Sequence, residues 1–237
     1  MIRMSREVGS HVREAAGVDR APHRSLVAVA AVSLALAVAL SIAAAGADTF
    51  ALDLRISRAV QSHRFAGSRL VELFGYAVGS SAVLIPLGIV AALWFFYRRR
   101  PAMAWLFAGV VILRPLNTLL KMIVDSPRPG PDQVDVLRQS GGNGFPSGHV
   151  TGTLVMAGVV FYLAPRLTGS RRACVLLRVL AVVAVVATSY SRIASGAHWP
   201  SDVLGGLLWG TTELLLLIAV VGWLARPERS ATRLRPR

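Results

Sequence analysis

The sequence predicts an all-α integral membrane protein, a single bundle of six transmembrane helices. Three observations carry that prediction. More than half of the 237 residues, 54%, are hydrophobic. The apolar residues form continuous runs of about 20, the length a helix needs to cross the hydrocarbon core of a bilayer. Runs without alternation select helices over the strands of a barrel. Arginine, finally, gathers at the two ends of the chain and in short segments between the runs, where membrane proteins carry their orientation signal.

Each element follows in order. Residues 1–24 are polar and basic, with Arg3, Arg6, Arg13, Arg20 and Arg24 and no apolar period, and read as a disordered tail. Ser25 to Ala47 is the first span. It ends in "AAAGAD", which resembles a signal-peptidase site, but its apolar stretch is long for a signal peptide and a retained helix is expected. From Asp48 to about Gly75 the chain is mixed. Leu52, Ile56, Ala59 and Val60 share a helical face, with Arg55 and Arg58 elsewhere, so an amphipathic helix lying on the membrane surface fits; an ordinary loop is the alternative.

Five further spans complete the bundle: Tyr76 to Tyr97, Pro101 to Val124, Gly148 to Ala164, Ala173 to Ser189 and Val203 to Ala225. Residues 226–237 form a second basic tail, which leaves one membrane domain over 25–225. The lone cysteine, Cys174, permits no internal disulfide and reads as a small buried hydrophobe.

The net charge of +14 raises the question of nucleic acid. No basic surface interleaved with aromatics occurs, so that partner is excluded in favour of the lipid bilayer. Segments 1–24, 98–100, 165–172 and 226–237 hold 16 Lys and Arg, against 8 in segments 48–75, 121–147 and 191–202. The richer set is expected on the cytoplasmic side of the cell membrane, with both termini, leaving the loops after spans one, three and five outside.

Three polar clusters fall on that outer side. They are "KMIVDSPRP" (Lys121 to Pro129), "PSGH" (Pro146 to His149) and "SRIASGAHWPSD" (Ser191 to Asp202). Lys121 is the single lysine beside 25 arginines, a position that favours a compact ammonium. His198 and Asp202 are one helical turn apart. A carboxylate there can hold one imidazole nitrogen and leave the other free to attack; the plainer reading is that Asp202 complements a helix dipole. Lys121, Arg128 and Arg192 converge on the same rim beside two helix N-termini, an inventory that suits an anion. Ser147 is placed to cap its helix, its hydroxyl and the N–H groups of Gly148 and His149 can hold anionic oxygens, and Gly148 lets the backbone come close. A metal on His149, His198 and Asp202 is chemically permitted, but three neighbouring cations oppose a dication, so no metal and no cofactor are expected.

Lys121-x6-Arg128-Pro129, Pro146-Ser147-Gly148-His149 and Ser191-Arg192-x5-His198-x3-Asp202 resemble the three-part signature of the type 2 phosphatidic acid phosphatase (PAP2) superfamily, with all eleven specified positions present in order. The motifs span residues 121 to 202, and the six-span layout extends the likeness to about 25–225. The resemblance implies a PAP2/haloperoxidase-like core and a metal-independent phosphatase acting on the phosphate or diphosphate of a membrane lipid. It implies His198 as nucleophile, Asp202 as its orienting carboxylate and His149 as general acid and then base. It further implies Lys121, Arg128, Ser147, Gly148 and Arg192 as holders of the phosphate oxygens.

Phosphatidic acid, phosphatidylglycerol phosphate and polyprenyl diphosphates all remain open as substrates. A phosphotransferase sharing the first half-reaction is an alternative, as is a non-catalytic lipid-phosphate binding protein, which the intact His149, His198 and Asp202 argue against. Oligomeric state is not legible. Two further pairings are expected: Arg114 with Glu213 inside the bundle, and Asn117 with Lys121 one turn on. Arg178 is expected to snorkel to the cytoplasmic surface.

Overall fold

The computed structural model describes residues 23–47, 49–138 and 141–225. The described residues form nine helices and no strand. In chain order they are α1 His23–Ala45, α2 Ala51–Ser62, α3 Ser68–Gly79, α4 Ser81–Tyr97, α5 Pro101–Ile112, α6 Arg114–Val124, α7 Gly148–Leu167, α8 Arg171–Ala194 and α9 Pro200–Leu224. Apart from the first two residues of α1, the expected tails lie outside the described residues.

Among the described residues five spans are long and apolar enough to cross a membrane: α1, α5 with α6, α7, α8 and α9. The sixth is α3 and α4 taken together, bent by 50°. The span expected from Tyr76 to Tyr97 therefore starts earlier, at Ser68, and is broken at Ser80, which takes an extended conformation. A Gly79-Ser80 pair is the kind of weak point at which helices kink. The span from Pro101 to Val124 is interrupted at Leu113, because Pro115 has no N–H to give and its ring crowds the carbonyl of Val111.

The packing is layered around α7. Helices α8 and α9 flank it, α3 lies on the outer side of α8, α1 lies on the outer side of α9, and the α4–α5 pair closes the remaining side. In α7, 56% of the most apolar window is buried in protein, against 17% in α1, so α7 is the axis and α1 is largely a lipid-facing strut. Two side-chain hydroxyls strap α3 to α8: Thr188 Oγ1 donates to the Gly75 carbonyl (3.1 Å) and Ser191 Oγ to the Glu72 carbonyl (2.7 Å). Gly75 permits the approach, since any Cβ there would run into the Ala187 carbonyl. On the other flank, Ser33 Oγ donates to the Leu208 carbonyl (2.9 Å) and Trp209 Nε1 to Ser41 Oγ (3.2 Å).

The apolar core is built by Leu84, Leu106, Phe107, Val110, Val155, Met156, Val159, Leu163, Ile218 and Val221. In α7 it begins at Val155 and in α9 at Ile218, leaving the first turns of both helices to the polar clusters. Cys174 is half-buried rather than buried.

Helix α2 is the amphipathic helix expected near residue 52, with its apolar face outward and its polar face against protein. Leu52 and Ile56 point outward while Asp53 and Ser57 are buried. A bilayer supplies the apolar surroundings that water would deny those two side chains, so the polar face is free to meet protein.

Candidate active site

The three polar clusters meet at one end of the bundle, and the backbone itself ties them together. Gly144 N–H donates to the Ser126 carbonyl (2.8 Å), joining the first cluster to the approach of the second. Ser147 N–H donates to the Asp202 carbonyl (3.0 Å), joining the second to the third. Leu137 N–H donates to the Ser195 carbonyl (3.0 Å), laying the loop between α6 and α7 along the turn before α9.

His198 and Asp202 are paired as expected. Asp202 starts α9 at its third residue, where its Oδ2 accepts from the Trp199 N–H (3.0 Å) and from His198 Nδ1 (3.1 Å). Arg128 Nη1 stands 3.1 Å from the other ring nitrogen, Nε2. A guanidinium can only donate, so Nε2 carries the lone pair and Nδ1 the proton. Burial lowers the His198 pKa well below its ordinary value of 6.5; the charges of Arg128, Lys121 and Arg192 act in the same direction, and the Gly144 carbonyl opposes them. The ring is therefore neutral, and its bond to Asp202 is that of an imidazole N–H rather than an imidazolium.

The cations are held by carbonyl oxygens. Lys121 Nζ donates to Asn143 and Gly144, each at 2.7 Å, while Asn143 Nδ2 returns a bond to the Lys121 carbonyl (2.8 Å). Arg128 spreads over Gly142 (Nε, 2.7 Å) and Ala197 (Nη1, 2.7 Å). Burial lowers its pKa, and Asp202 offsets part of that shift. Arg192 is almost fully buried, bonded through Nη2 to Ser191 Oγ (3.2 Å) and lying 5.0 Å from the centre of the Tyr76 ring. His149 stacks on the same ring at 5.5 Å between centroids and is within electrostatic range of Arg192, His198, Arg114 and Arg128.

Ser147 does not cap α7. Its hydroxyl is wholly buried yet makes no hydrogen bond, and it shares that condition with His149 Nε2, Arg192 Nε and Asp202 Oδ1. The first N–H groups of α7 likewise have no carbonyl ahead of them in the helix. Gly148 is needed for a different neighbour than expected: a Cβ there would sit 2.6 Å from Asn117 Oδ1.

Asn117 does not orient Lys121; its Nδ2 donates to Thr151 Oγ1 (3.3 Å) in the first turn of α7. Arg114 does not close an ion pair with Glu213 either. Both line one small cavity beside Asn117, Thr151 and Gly152, but Arg114 gives its donors to the Gly148 carbonyl (2.8 Å) and to Ser81 Oγ. Arg178 lies over the Phe161 ring at 5.0 Å. The described residues contain no group of three His, Cys, Asp or Glu side chains placed to hold a metal ion.

Two residues of the site carry no local sequence signal: Tyr76 lies within a span, and Arg138, whose guanidinium lies 4.1 Å from the centre of the Tyr76 ring, lies in a loop. A third, Asp53, accepts from the Ser201 N–H (2.8 Å) and Oγ–H (2.6 Å), capping α9 from across the structure.

Known proteins resemble this chain in sequence and in fold. The family model described as "PAP2 superfamily" matches residues 76–226. Phosphatidylglycerophosphatase B of Bacillus subtilis (strain 168) is 32% identical over 154 residues, covering 62% of this chain and 70% of that protein. The crystal structure of a transmembrane PAP2-type phosphatidylglycerolphosphate phosphatase from Bacillus subtilis superposes with a TM-score of 0.67 at 25% identity, over 79% of this chain and 93% of the other. The crystal structure of Aquifex aeolicus LpxE superposes with a TM-score of 0.55 at 24% identity, over 75% and 98%, which is a likeness of fold.

Proposed function

The chain belongs to the PAP2 superfamily, and on that premise we propose that it removes the terminal phosphate of a membrane lipid through a phosphohistidine on His198. One observation carries the reading. Ser147 Oγ, His149 Nε2 and Arg192 Nε are buried polar atoms without partners, close to a neutral imidazole whose tautomer is fixed by Asp202. Leaving such atoms unmet costs about 1–3 kcal/mol each, and a tetrahedral oxyanion offers acceptors to all three.

The chemistry then runs in two steps. His198 Nε2 attacks phosphorus, the bond from phosphorus to the lipid oxygen breaks, and His149 gives that oxygen its proton. The bound phosphate supplies the negative charge that favours a protonated His149 beside so many cations. Asp202 balances the positive charge that develops on the His198 ring. In the second step His149 takes a proton from water, the water oxygen attacks phosphorus, and the N–P bond breaks to release inorganic phosphate. Lys121, Arg128 and Arg192 hold the non-bridging oxygens, assisted by Ser147 and the Gly148 N–H, and supply the charge for which other phosphatases use a metal. For Lys121 and Arg128 this means exchanging carbonyl partners for phosphate oxygens.

The reaction is read at the extracytoplasmic face of the cell membrane, with both termini inside, on the distribution of arginine alone. The test is phosphate release from phosphatidic acid, phosphatidylglycerol phosphate and a polyprenyl diphosphate by the purified protein in excess chelator, with and without an alcohol acceptor. Release should persist in chelator and vanish in His198→Ala, and phosphate transferred from radiolabelled lipid should be trapped on the protein in an acid-labile form. Full activity in His198→Ala would sink the mechanism; transfer to the alcohol in place of release would make the protein a phosphotransferase.

A further inference from the structure

Arg138 has no place in the signature, yet the fold holds it at the site. Gln61 of α2 grips the neighbouring Asp135 from both sides, its Nε2 donating to the carbonyl (2.8 Å) and its Oε1 accepting from the N–H (3.0 Å). The Leu137 bond to Ser195 pins the residue immediately before Arg138 to the turn that carries His198. Beyond that anchor the guanidinium lies on Tyr76, the ring that also meets Arg192 and His149. Two cations thus share one ring. No carboxylate among the described residues pairs with Arg138; Glu72, bonded to Arg69 at 3.1 Å, acts electrostatically on Arg192. Like charges this close repel, and an anion between them offsets the repulsion.

We propose that Arg138 and Tyr76 form a second anion subsite beside the scissile phosphate, one that takes a second phosphorus-centred anion of the same lipid headgroup. This rests on the phosphatase reading above and narrows its substrate to lipids carrying two phosphorus groups. The subsite lies against the proton donor His149, so the group it takes belongs to the leaving side. When the bond between the attacked phosphorus and the bridging oxygen breaks, that oxygen leaves with the lipid and takes the proton from His149, and the second phosphorus departs on the same leaving group. A diphosphate presents that second group directly across the bridging oxygen, and a phosphodiester presents it through a short polyol. Phosphatidic acid has none.

The experiment compares kcat/KM for phosphatidic acid, phosphatidylglycerol phosphate and a polyprenyl diphosphate in wild type, R138Q and R138K. The wild-type protein should favour at least one of the two-phosphorus lipids over phosphatidic acid. R138Q should cut that preference at least about tenfold, as expected when a headgroup anion loses its charged donor, with R138K recovering part of it. Whichever lipid loses more identifies the source of the second anion. A ratio unmoved in R138Q, or all three lipids falling together as a purely structural role predicts, overturns the subsite. Inorganic diphosphate should also inhibit the wild type at lower concentration than inorganic phosphate, a gap that equal inhibition would erase together with the proposal. A wild-type protein that hydrolyses none of the three lipids defeats the phosphatase reading itself, an outcome distinct from active enzyme without preference.

Discussion

Two helix starts face one another across the site, and they are finished differently. At the start of α9, His198 Nδ1 and the Trp199 N–H share Asp202, Ser201 is capped by Asp53, and His198 Nε2 is met by Arg128. At the start of α7, Ser147 Oγ and His149 Nε2 have no partner, although the helix is anchored from behind by Arg114 on the Gly148 carbonyl. On the mechanism we propose, the chain itself completes the half that attacks, and the half that grips oxygens and passes a proton is left with its donors unspent. Pre-orienting a nucleophile is useful before substrate arrives, whereas a general acid is useful only against an atom the substrate brings.

The contrast can be broken at four points. The largest effect is expected at the α9 end: His198→Ala should lower phosphate release by about 10⁴-fold or more, because no other group forms the N–P bond. His149→Ala should cost about 10²–10⁴-fold on lipid substrates, but much less in the first step on an aryl phosphate whose leaving group needs no proton. Phosphoenzyme should then accumulate, and equal losses on both substrates would remove His149 from the proton-donor role. Arg128→Gln sharpens the comparison through pH. A cation beside His198 disfavours its protonation and so lowers its pKa; removing that cation raises it. The acid limb of kcat/KM that His198 sets should move upward in the variant as turnover drops about 10–10³-fold. The smallest effect is expected at Asp53→Ala, which removes a cap from α9 without touching the chemistry. A loss of about 0.5–2 kcal/mol in stability, read as a lower melting temperature in detergent, is expected with the shape of the pH profile retained.

The spans and the three clusters could be read from the sequence because each is a local property: hydropathy over one helix, or residue types within about a dozen positions. What could not be read depends on which helix meets which. Nothing local says that Tyr76 and Arg138, 62 positions apart, share a contact. The orienting pair His198–Asp202 was legible because one helical turn brings it together, whereas Asn117 and Lys121, at the same spacing, part company because Thr151 on α7 competes for the amide. Helix α2 shows a second limit. Its amphipathic pattern is plain in Leu52, Ile56, Asp53 and Ser57, but pattern alone does not tell which face meets protein when lipid replaces water. The break at Leu113 had a visible cause in Pro115, which the continuous hydropathy of Pro101 to Val124 obscures.

The guanidinium of Arg128 on His198 Nε2 has a consequence for chemical selectivity. A lone pair engaged by a strong donor is a poor weapon against whatever uncharged electrophile drifts by in the bilayer. To disarm that latch, an incoming molecule must offer the arginine something better than an imidazole nitrogen, and oxygens bearing formal negative charge do so. In the mechanism proposed above, the nucleophile is thus sheathed by the very group that reads the key, and only a headgroup of the right sign draws it.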